Sequence, residues 1–343
     1  MKEIFIVNTI DENTWREFLS KQDQSNIFHT PEMFRVWNKA KGCSAKLWVA
    51  LDSSGHVLAL FAPVDITLLK GPFHRLTTRS IAYGSVLRVP DEIGKEALVA
   101  LLRSYSTTPS RQSLFTELRN LTDLSEIQPE LCQCGFEFEE HLNFLNDLNC
   151  STEELLQGIG SRTRKNIRRG LRKGNVSVEQ LTDRSQLNVW YGLIQKTYRS
   201  VGVPLADRSL FEAAYDILIP ENMIAFWLAR IGTEYVAASA ELLFKDVIYG
   251  WYGGVDRDYS KEMPGEILMW RILEWGAMNG YKLYDFGGAG KPDEEYGVRD
   301  FKAKFGGQLV CFGRNMKIHS PHLLRLSEWG YDIYQKILKL WPA

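Results

Sequence analysis

Two fifteen-residue stretches of this chain repeat one pattern, and the repeat limits the folds that the chain can adopt. KLWVALDSSGHVLAL covers residues 46–60, and FWLARIGTEYVAASA covers residues 226–240. In each stretch a tryptophan, Trp48 or Trp227, stands nine residues before a valine. Apolar residues on both sides of a short polar turn predict a strand–turn–strand unit in both stretches. The repeat therefore predicts an α/β (α+β) fold with two structurally similar halves.

Length and composition agree with two domains. The chain has 343 residues, of which 45% are hydrophobic and 24% charged, as is usual for a globular protein with a large core. The composition changes near residue 150, where Ser151 and Glu154 have the spacing of a helix capping box and a basic segment follows. We therefore predict an N-terminal domain over residues 1–150, a C-terminal domain over 151–320 and a C-terminal helix over 321–343.

Several classes of protein are disfavoured by the same numbers. The net charge of −1 produces no global field, so we expect no DNA binding, and any phosphate must bind at a local patch. The five cysteines are irregularly spaced and lack the pattern of a zinc site, so we expect free thiols and no metal. We see no secretory signal and no apolar run that would span a membrane. We expect a cytoplasmic protein, with peripheral contact at the inner face of the membrane left open.

The most suggestive segment for chemistry is YKLYDFGGAGKPDEEYGVRDFKAKFGG, residues 281–307. An apolar strand ends in Asp285, and Gly287 and Gly288 permit a sharp backbone turn there. Lys302 follows on an aromatic-rich stretch, where partial desolvation would suit a cation that stabilises a developing oxyanion. The alternative interpretation is a strand end with an Asx turn at Asp285 and a surface lysine at 302.

A cluster of cations lies between the two repeated units. Residues 161–173 carry seven positive charges and no acid. On a helix, Arg164, Arg168 and Arg172 align on one face at four-residue spacing, and like charges at that spacing repel. Phosphate groups of a nucleotide, a tRNA or a membrane surface would offset the repulsion. The alternative is a solvated basic helix that forms ion pairs with nearby acids.

The start of the predicted helix 266–279 bears on whether the chain could bind coenzyme A (CoA). In CoA-dependent acetyltransferases of the GNAT type, a glycine-rich turn at this place presents backbone N–H groups to pyrophosphate. Here the turn reads KEMPGE over residues 261–266. Pro264 offers no N–H, and Glu266 places a negative charge where the pyrophosphate would lie. The turn therefore argues against CoA bound in the usual way.

These motifs together resemble the C-terminal signature of the Fem family of aminoacyltransferases. The shared elements are Tyr284-Asp285-Phe286-Gly287-Gly288, the Gly297 loop, Phe301-Lys302, Phe305-Gly306, Pro264-Gly265 before the helix, and the basic segment 162–173, which is similar to the family's inter-domain segment. The likeness is clear over about 150–312 and diffuse before that. It implies two tandem GNAT-like domains, the acyl-CoA N-acyltransferase fold, which agrees with the repeat. The long coiled-coil arm of some members is absent from the sequence pattern.

The resemblance also implies an activity and roles for particular residues. A Fem-like enzyme moves an aminoacyl group from aminoacyl-tRNA to an amine of a nucleotide- or lipid-linked peptidoglycan precursor, in cell-wall biogenesis and the maintenance of cell shape. By position, Phe301 and Lys302 would lie at the transfer site, with Asp285 beside them. The substrate-binding positions so assigned are Arg208 and Lys39 for the precursor's diphosphate, with Arg164, Arg168, Tyr252, Gly287 and Gly288. No tightly bound cofactor is implied.

Two other functions stay open from the sequence. One is a GNAT-like N- or O-acyltransferase that uses acyl-CoA and modifies an envelope sugar or polysaccharide precursor. The other is a non-catalytic, anion-binding envelope protein. The final helix is also ambiguous, since its apolar side would either pack on the protein or touch a membrane, and we favour packing. That side consists of Leu323, Leu326, Ile333, Ile337 and Trp341.

Overall fold

The computed structural model describes residues 3–69, 71–108 and 113–340, and its contacts divide the chain into two compact units. Unit 1 comprises residues 1–139 and 312–343, and unit 2 comprises residues 140–311. Trp341, which the sequence places on the apolar side of the final helix, lies outside the described residues, as do the side chains of Ile333 and Ile337. No helix among the described residues is long and apolar enough to span a membrane.

Unit 1 combines short strands with helices whose starts are marked in the sequence. Asp11 caps the first helix, Thr30 followed by Pro31 begins the second, and Asp91 caps the third, each through its side-chain oxygen. The helices are α1 (Glu12–Ser20), α2 (Pro31–Lys39), α3 (Glu92–Thr107) and α4 (Gln128–Gln133). The strands are β1 (Phe5–Val7), β2 (Cys43–Ala45), β3 (Trp48–Leu51), β4 (Val57–Phe61), β5 (Val64–Thr67), β6 (Thr78–Tyr83), β7 (Val86–Arg88), β8 (Phe115–Arg119) and β9 (Glu137–Glu139).

Unit 2 is built around one seven-stranded sheet. Its helices are α5 (Thr152–Gly158), α6 (Ser161–Lys173), α7 (Leu187–Val201), α8 (Arg208–Leu218), α9 (Pro264–Met278) and α10 (Gly297–Ala303). Its strands are β10 (Leu142–Asp147), β11 (Val176–Gln180), β12 (Ile224–Ile231), β13 (Glu234–Phe244), β14 (Val247–Val255), β15 (Leu283–Gly288) and β16 (Gln308–Cys311). The predicted capping box at the start of α5 is confirmed, because Ser151 and Glu154 bond each other's backbone N–H groups. The chain then returns to unit 1 as β17 (Arg314–Ile318) and α11 (Pro321–Leu340).

The two units share one strand order. The sheet of unit 2 runs β11-β12-β13-β14-β15-β10-β16. The described residues of unit 1 form two sheets, β1-β3-β4-β7 and β2-β5-β6-β8-β17-β9, because three of the strands are broken into pairs. We count each broken strand as one position, namely β2 with β3, β4 with β5, and β6 with β7. Unit 1 then has seven positions, and they follow the same order as the seven strands of unit 2. The repeat marked by Trp48 and Trp227 falls on equivalent hairpins, β3–β4 and β12–β13, and the predicted pair of similar halves is confirmed.

The units differ from the predicted domains 1–150 and 151–320 because they exchange strands. β10 precedes residue 150 but pairs with β15 and β16 of unit 2. β17 precedes residue 320 but pairs with β8 and β9 of unit 1. Consequently the basic helix α6, predicted as an inter-domain segment, lies inside unit 2. Hydrogen-bonded strand partners that are far apart in sequence leave no trace in local composition, so the exchange could not be predicted.

Helix α9 forms the centre of unit 2 and is buried on the side that faces the sheet. Its apolar side chains pack with those of β12 and β13 and of the helices α5 and α6. The approach of α6 is close, since a Cβ added to Gly170 would lie 2.5 Å from Cδ1 of Ile267 on α9. On the other side of the sheet, Trp190 of α7 and Phe211 of α8 pack together at 4.9 Å between ring centroids. These layers fix the ends of β14 and β15, where the candidate site lies.

Candidate active site

Strands β14 and β15 run side by side and then separate. They pair in parallel at three positions, the last of which joins Tyr249 to Asp285. β14 nevertheless extends to Val255 and β15 to Gly288. The pairing of β14 with β13 shifts by one residue at Trp251, so β14 carries a bulge just beyond its last contact with β15. The two strands thus diverge at the position where the sequence predicts the site.

Lys302 lies on α10 and holds the diverging end of β15. Its Nζ donates to the backbone oxygens of Phe286, Gly287 and Gly288 at 2.5, 3.2 and 2.8 Å. An ammonium group has three N–H donors, so these carbonyls occupy all of them. Burial lowers the pKa of Lys302 to about 8, and the negative charge of Asp285 acts in the opposite direction. Lys302 is therefore a partly buried cation whose ammonium group is bound to the end of β15, rather than a lysine that extends into solvent.

Asp285 shapes the turn that Lys302 holds. Its buried carboxylate accepts the Gly287 N–H at 2.7 Å, which is the Asx turn that the sequence leaves open as an alternative. Asn143 of β10 donates to the same carboxylate at 3.5 Å. Burial raises the pKa of Asp285 to about 6, whereas the Gly287 N–H, the Lys302 charge and Asn143 lower it. Gly287 has a φ of 68°, and glycine adopts this left-handed conformation without strain.

A second buried acid, Glu241 on β13, lies in a network that sequence reasoning missed. It accepts hydrogen bonds from the Ser239 hydroxyl and, at 2.8 Å, from the Tyr284 hydroxyl. The Tyr284 hydroxyl reaches it across β14 at Gly250, where an added Cβ would lie 2.7 Å from the hydroxyl oxygen. The network therefore ties β13 to β15 next to the bulge. The available signal was a single acid inside the apolar run of residues 236–244.

The protonation of Glu241 predicts how stability depends on pH. Burial raises its pKa to about 7, and its two hydrogen bonds act in the opposite direction. Because the folded state holds a proton that the unfolded chain releases near pH 4.5, the free energy of unfolding falls as pH rises from about 4.5 to 7, by on the order of 3 kcal/mol. Glu241→Gln cannot titrate and should lose this part of the slope. Urea unfolding of the wild type and of Glu241→Gln at pH 5 and pH 8 measures this change in the free energy of unfolding. An equal change in both proteins would contradict the protonation of Glu241 in the folded state.

The start of α9 faces α10 through an ion pair. Glu266, in the first turn, lies 3.3 Å from Nζ of Lys304. Met263 caps the helix in a left-handed conformation, and Pro264, the first helical residue, has no N–H to offer. The Phe301 ring lies close to this turn, with Lys304 Nζ 5.5 Å from its centroid. A carboxylate at a helix N-terminus itself satisfies the positive end of the helix dipole, so this turn is poorly suited to a pyrophosphate.

The structure brings together only part of the predicted site. Lys302, Asp285, Gly287 and Gly288 are linked by the contacts above, and the neighbouring Phe301 packs edge-on against Phe305 at 5.2 Å. The other predicted residues of unit 2 have partners elsewhere: Tyr252 packs on Phe211 at 4.8 Å, and Arg208 pairs with Glu212 at 2.9 Å. Lys39 is the last residue of α2 in unit 1, where it is exposed.

Helix α6 presents its cations on the side opposite its buried residues, Thr163, Ile167 and Gly170. Two of the seven cations are paired with acids, Arg168 with Glu153 at 3.2 Å and Lys173 with Glu262 at 3.3 Å. Arg164 donates to the Gln157 carbonyl at 2.6 Å. The predicted alignment of Arg164, Arg168 and Arg172 is therefore partly neutralised.

A different row of cations on α6 remains exposed. Arg162, Lys165, Arg169 and Arg172 follow one another at three- or four-residue spacing, and within the described part of the chain they form no ion pair. The row extends over about 15 Å at the helical rise. We call these four residues the basic row.

Comparison with known proteins identifies the fold. Residues 161–302 match the family model described as an acetyltransferase (GNAT) domain. The crystal structure of FemX is 18% identical, with a TM-score of 0.71, and the match covers 94% of this chain and 99% of FemX. A tandem GNAT protein from the clavulanic acid biosynthesis pathway is 11% identical, with a TM-score of 0.58, over 93% of this chain and 99% of that one.

The chain has the tandem GNAT fold. The structure of L-PGS from Bacillus licheniformis is also similar along almost the whole chain. It is 14% identical, with a TM-score of 0.57, and the match covers 93% of this chain and 96% of that one. Comparison with curated protein sequences finds no match. The predicted resemblance to Fem-type, GNAT-like proteins is thus confirmed at the level of the fold, and the family match over α6–α10 supports an acyltransferase.

Proposed function

We propose that this protein transfers an aminoacyl group from aminoacyl-tRNA to an amine of a cell-envelope precursor. The observation that carries the choice of donor is the start of α9. There Pro264 removes one N–H, and the Glu266 carboxylate, paired with Lys304, occupies the turn that binds pyrophosphate in CoA-dependent relatives. Aminoacyl-tRNA does not require a pyrophosphate-binding turn at this place, because the phosphates of its tRNA backbone can bind at another part of the protein. The similarity to FemX and the Fem-like signature around Phe301 and Lys302 support the same donor.

In the proposed reaction the acceptor amine attacks the ester carbonyl carbon of aminoacyl-tRNA. A C–N bond forms, the carbonyl oxygen becomes an oxyanion, and the ester C–O bond then breaks. The ribose oxygen leaves with the electron pair and takes up the proton that the amine loses, directly or through water. The positive charge of Lys302, at the divergence of β14 and β15, stabilises the oxyanion. Since all three Lys302 donors are bound to carbonyls, direct contact with the oxyanion requires that one of them be exchanged.

The basic row on α6 is the proposed contact for tRNA phosphates. Arginine predominates in it, and arginine suits phosphate recognition. We predict that Arg162→Gln/Lys165→Gln/Arg169→Gln weakens tRNA binding about tenfold or more and reduces the salt dependence by roughly 2 in log–log slope. Filter binding of tRNA across a salt series measures both quantities.

Exposed cations that already have acidic partners supply the control for the basic row. Arg184→Gln/Arg271→Gln/Lys282→Gln removes three such charges from elsewhere in unit 2. This variant should bind tRNA as the wild type does. If the wild type, the basic-row variant and the control variant bind tRNA with equal affinity and equal dependence on salt, the basic row does not contact tRNA.

For the acceptor we propose a nucleotide- or lipid-linked peptidoglycan precursor, with Arg208 near its diphosphate. Arg208 is exposed and its partner Glu212 is close by on α8, so a diphosphate would compete with an exposed ion pair of low stability. The similarity to FemX supports this class of acceptor.

The second candidate is acyl transfer from acyl-CoA to an envelope sugar. The family model, an acetyltransferase (GNAT) domain, is the observation in its favour. Offering the purified protein either charged tRNA or acetyl-CoA, with a muropeptide nucleotide or an amino sugar as acceptor, separates the two. Transfer from charged tRNA alone supports our proposal, and transfer from acetyl-CoA alone replaces it with the second candidate.

A further inference from the structure

Two neighbouring elements of unit 1 expose large apolar side chains. Leu68 and Leu69 follow β5, and Phe73 lies in the short 3-10 helix Gly71–Leu76. Leu326 and Trp329 lie on α11. All five side chains are between 48% and 64% exposed. We call these five residues the apolar patch. A single exposed apolar residue is common on protein surfaces, whereas a group of five indicates a binding surface.

The two elements are held together by a direct contact. The hydroxyl of Ser327, between Leu326 and Trp329, donates to the backbone oxygen of Leu76 at 2.6 Å. This bond joins α11 to the end of the 3-10 helix that carries Phe73. The two elements that carry these apolar side chains are therefore adjacent in unit 1.

The charges around the apolar patch are mainly positive. The sequence contains no acid between Asp65 and Asp91, and this interval includes Lys70, Arg75 and Arg79. Arg75 is exposed beside Phe73, and Arg325 is exposed beside Leu326 on α11. Glu328 is the only acid in residues 321–330. The patch thus combines leucine and aromatic side chains with flanking arginines, the combination that binds at the surface of an anionic bilayer.

We propose that the apolar patch docks unit 1 onto an anionic lipid bilayer. Leucine and phenylalanine side chains enter the boundary between headgroups and acyl chains, and tryptophan is favoured at that depth. Arg75 and Arg325 bind the lipid phosphates. A second copy of the chain fits less well, because its own patch carries the same positive charges and would repel the first. This inference concerns residues of unit 1, whereas the proposed transfer residues belong to unit 2, and it does not depend on the proposed donor.

Docking of this kind has a consequence for the acceptor. A protein held at the bilayer surface meets lipid-linked substrates at a high local concentration without a membrane-spanning helix. Transfer to a lipid-linked acceptor in vesicles should therefore depend on the patch, whereas transfer to a water-soluble acceptor should not.

Vesicle sedimentation with the full-length protein tests the proposal. The wild type should bind vesicles of phosphatidylglycerol and phosphatidylcholine, bind phosphatidylcholine vesicles weakly, and lose affinity as salt rises. Leu69→Ser/Phe73→Ser/Trp329→Ser should lower the affinity at least tenfold. The matched control is Val201→Ser/Val203→Ser/Met278→Ser, three apolar residues of unit 2 that are 51–74% exposed, and it should bind as the wild type does.

The charge variant Arg75→Glu/Arg325→Glu keeps the test decisive if the apolar variant fails to fold. It should lose binding to phosphatidylglycerol vesicles while keeping its melting temperature. The proposal is overturned if the wild type does not bind vesicles, or if both patch variants bind them unchanged. It is also overturned if the patch variants abolish a concentration-dependent dimer and leave vesicle binding intact, since a second copy would then be the occupant.

Discussion

Replacing Lys302 by methionine is expected to lower kcat/KM for acyl transfer about 100-fold. The substitution keeps much of the side-chain volume but removes the partly buried positive charge at the divergence of β14 and β15. Loss of one oxyanion-stabilising group in other enzymes has an effect of about this size. The three carbonyls at the end of β15 also lose their donor, so the melting temperature should fall. Rates must therefore be compared at a temperature where circular dichroism shows both proteins folded.

Lys282→Met is the matched control for this variant. Lys282 stands just before β15, at the end opposite the site, and forms an exposed ion pair with Asp246 at 3.0 Å. An exposed pair contributes little, so the control should keep near-wild-type turnover. The wild type should also lose activity as pH rises through about 8, where Lys302 loses its proton. A Lys302→Met enzyme within a few-fold of the wild type would refute the role assigned to this lysine.

Among the substitutions considered for this protein, Gly307→Ala is expected to lower the free energy of unfolding the most. Gly307 has a φ of 86°, and an added Cβ would lie 1.9 Å from Oδ1 of Asn146 and 2.6 Å from the Leu145 carbonyl oxygen. Asn146 cannot simply move away, because its Nδ2 donates to the Phe305 carbonyl at 2.9 Å and thereby fixes the end of α10. Backbone strain and a clash with a buried strand together should cost about 3 kcal/mol or more.

Gly297→Ala is the control, because no atom lies within 4 Å of the added Cβ and this glycine has no left-handed φ. It should unfold at nearly the wild-type temperature, whereas Gly307→Ala should unfold roughly 6–12 °C lower. Because α10 carries Lys302, Gly307→Ala should also reduce transfer before the protein unfolds. Differential scanning calorimetry compares the two variants, and equal melting temperatures would show that the turn tolerates a side chain.

The repeat around Trp48 and Trp227 was sufficient to predict paired halves, because a strand–turn–strand unit is encoded locally by apolar alternation and a polar turn. The capping box of Ser151 and Glu154 is equally local, and it is found where predicted. The exchange of β10 and β17 is different. Each strand could satisfy its apolar pattern in either sheet, and the choice depends on hydrogen-bond partners more than 130 residues away.

The candidate site shows the same division between local and distant information. Asp285, Gly287, Gly288 and Lys302 were predicted together because they lie within one short, unusual segment. Their contacts were not predicted, since a lysine that binds three backbone oxygens and one that faces solvent have the same sequence. Glu241 was missed because its partner Tyr284 is on another strand, and only the absence of a side chain at Gly250 lets them meet.

The basic helix α6 corrects a simpler interpretation of its charge. The sequence aligns Arg164, Arg168 and Arg172 on one helix face as a candidate phosphate site, yet Arg164 and Arg168 both have partners on α5. The packing of Thr163, Ile167 and Gly170 against the unit turns a different set of cations outward. Which face of a charged helix is exposed depends on its few small and apolar residues rather than on its charges.

The measurement that tests the central claim most directly is the mass of the acceptor after incubation with the purified protein and charged tRNA. A muropeptide nucleotide should gain the mass of one aminoacyl residue, at a rate that falls about 100-fold with Lys302→Met. The same acceptor incubated with acetyl-CoA should keep its mass. A gain of one acetyl group from acetyl-CoA, with no product from charged tRNA, would contradict the account of the α9 turn and of the donor.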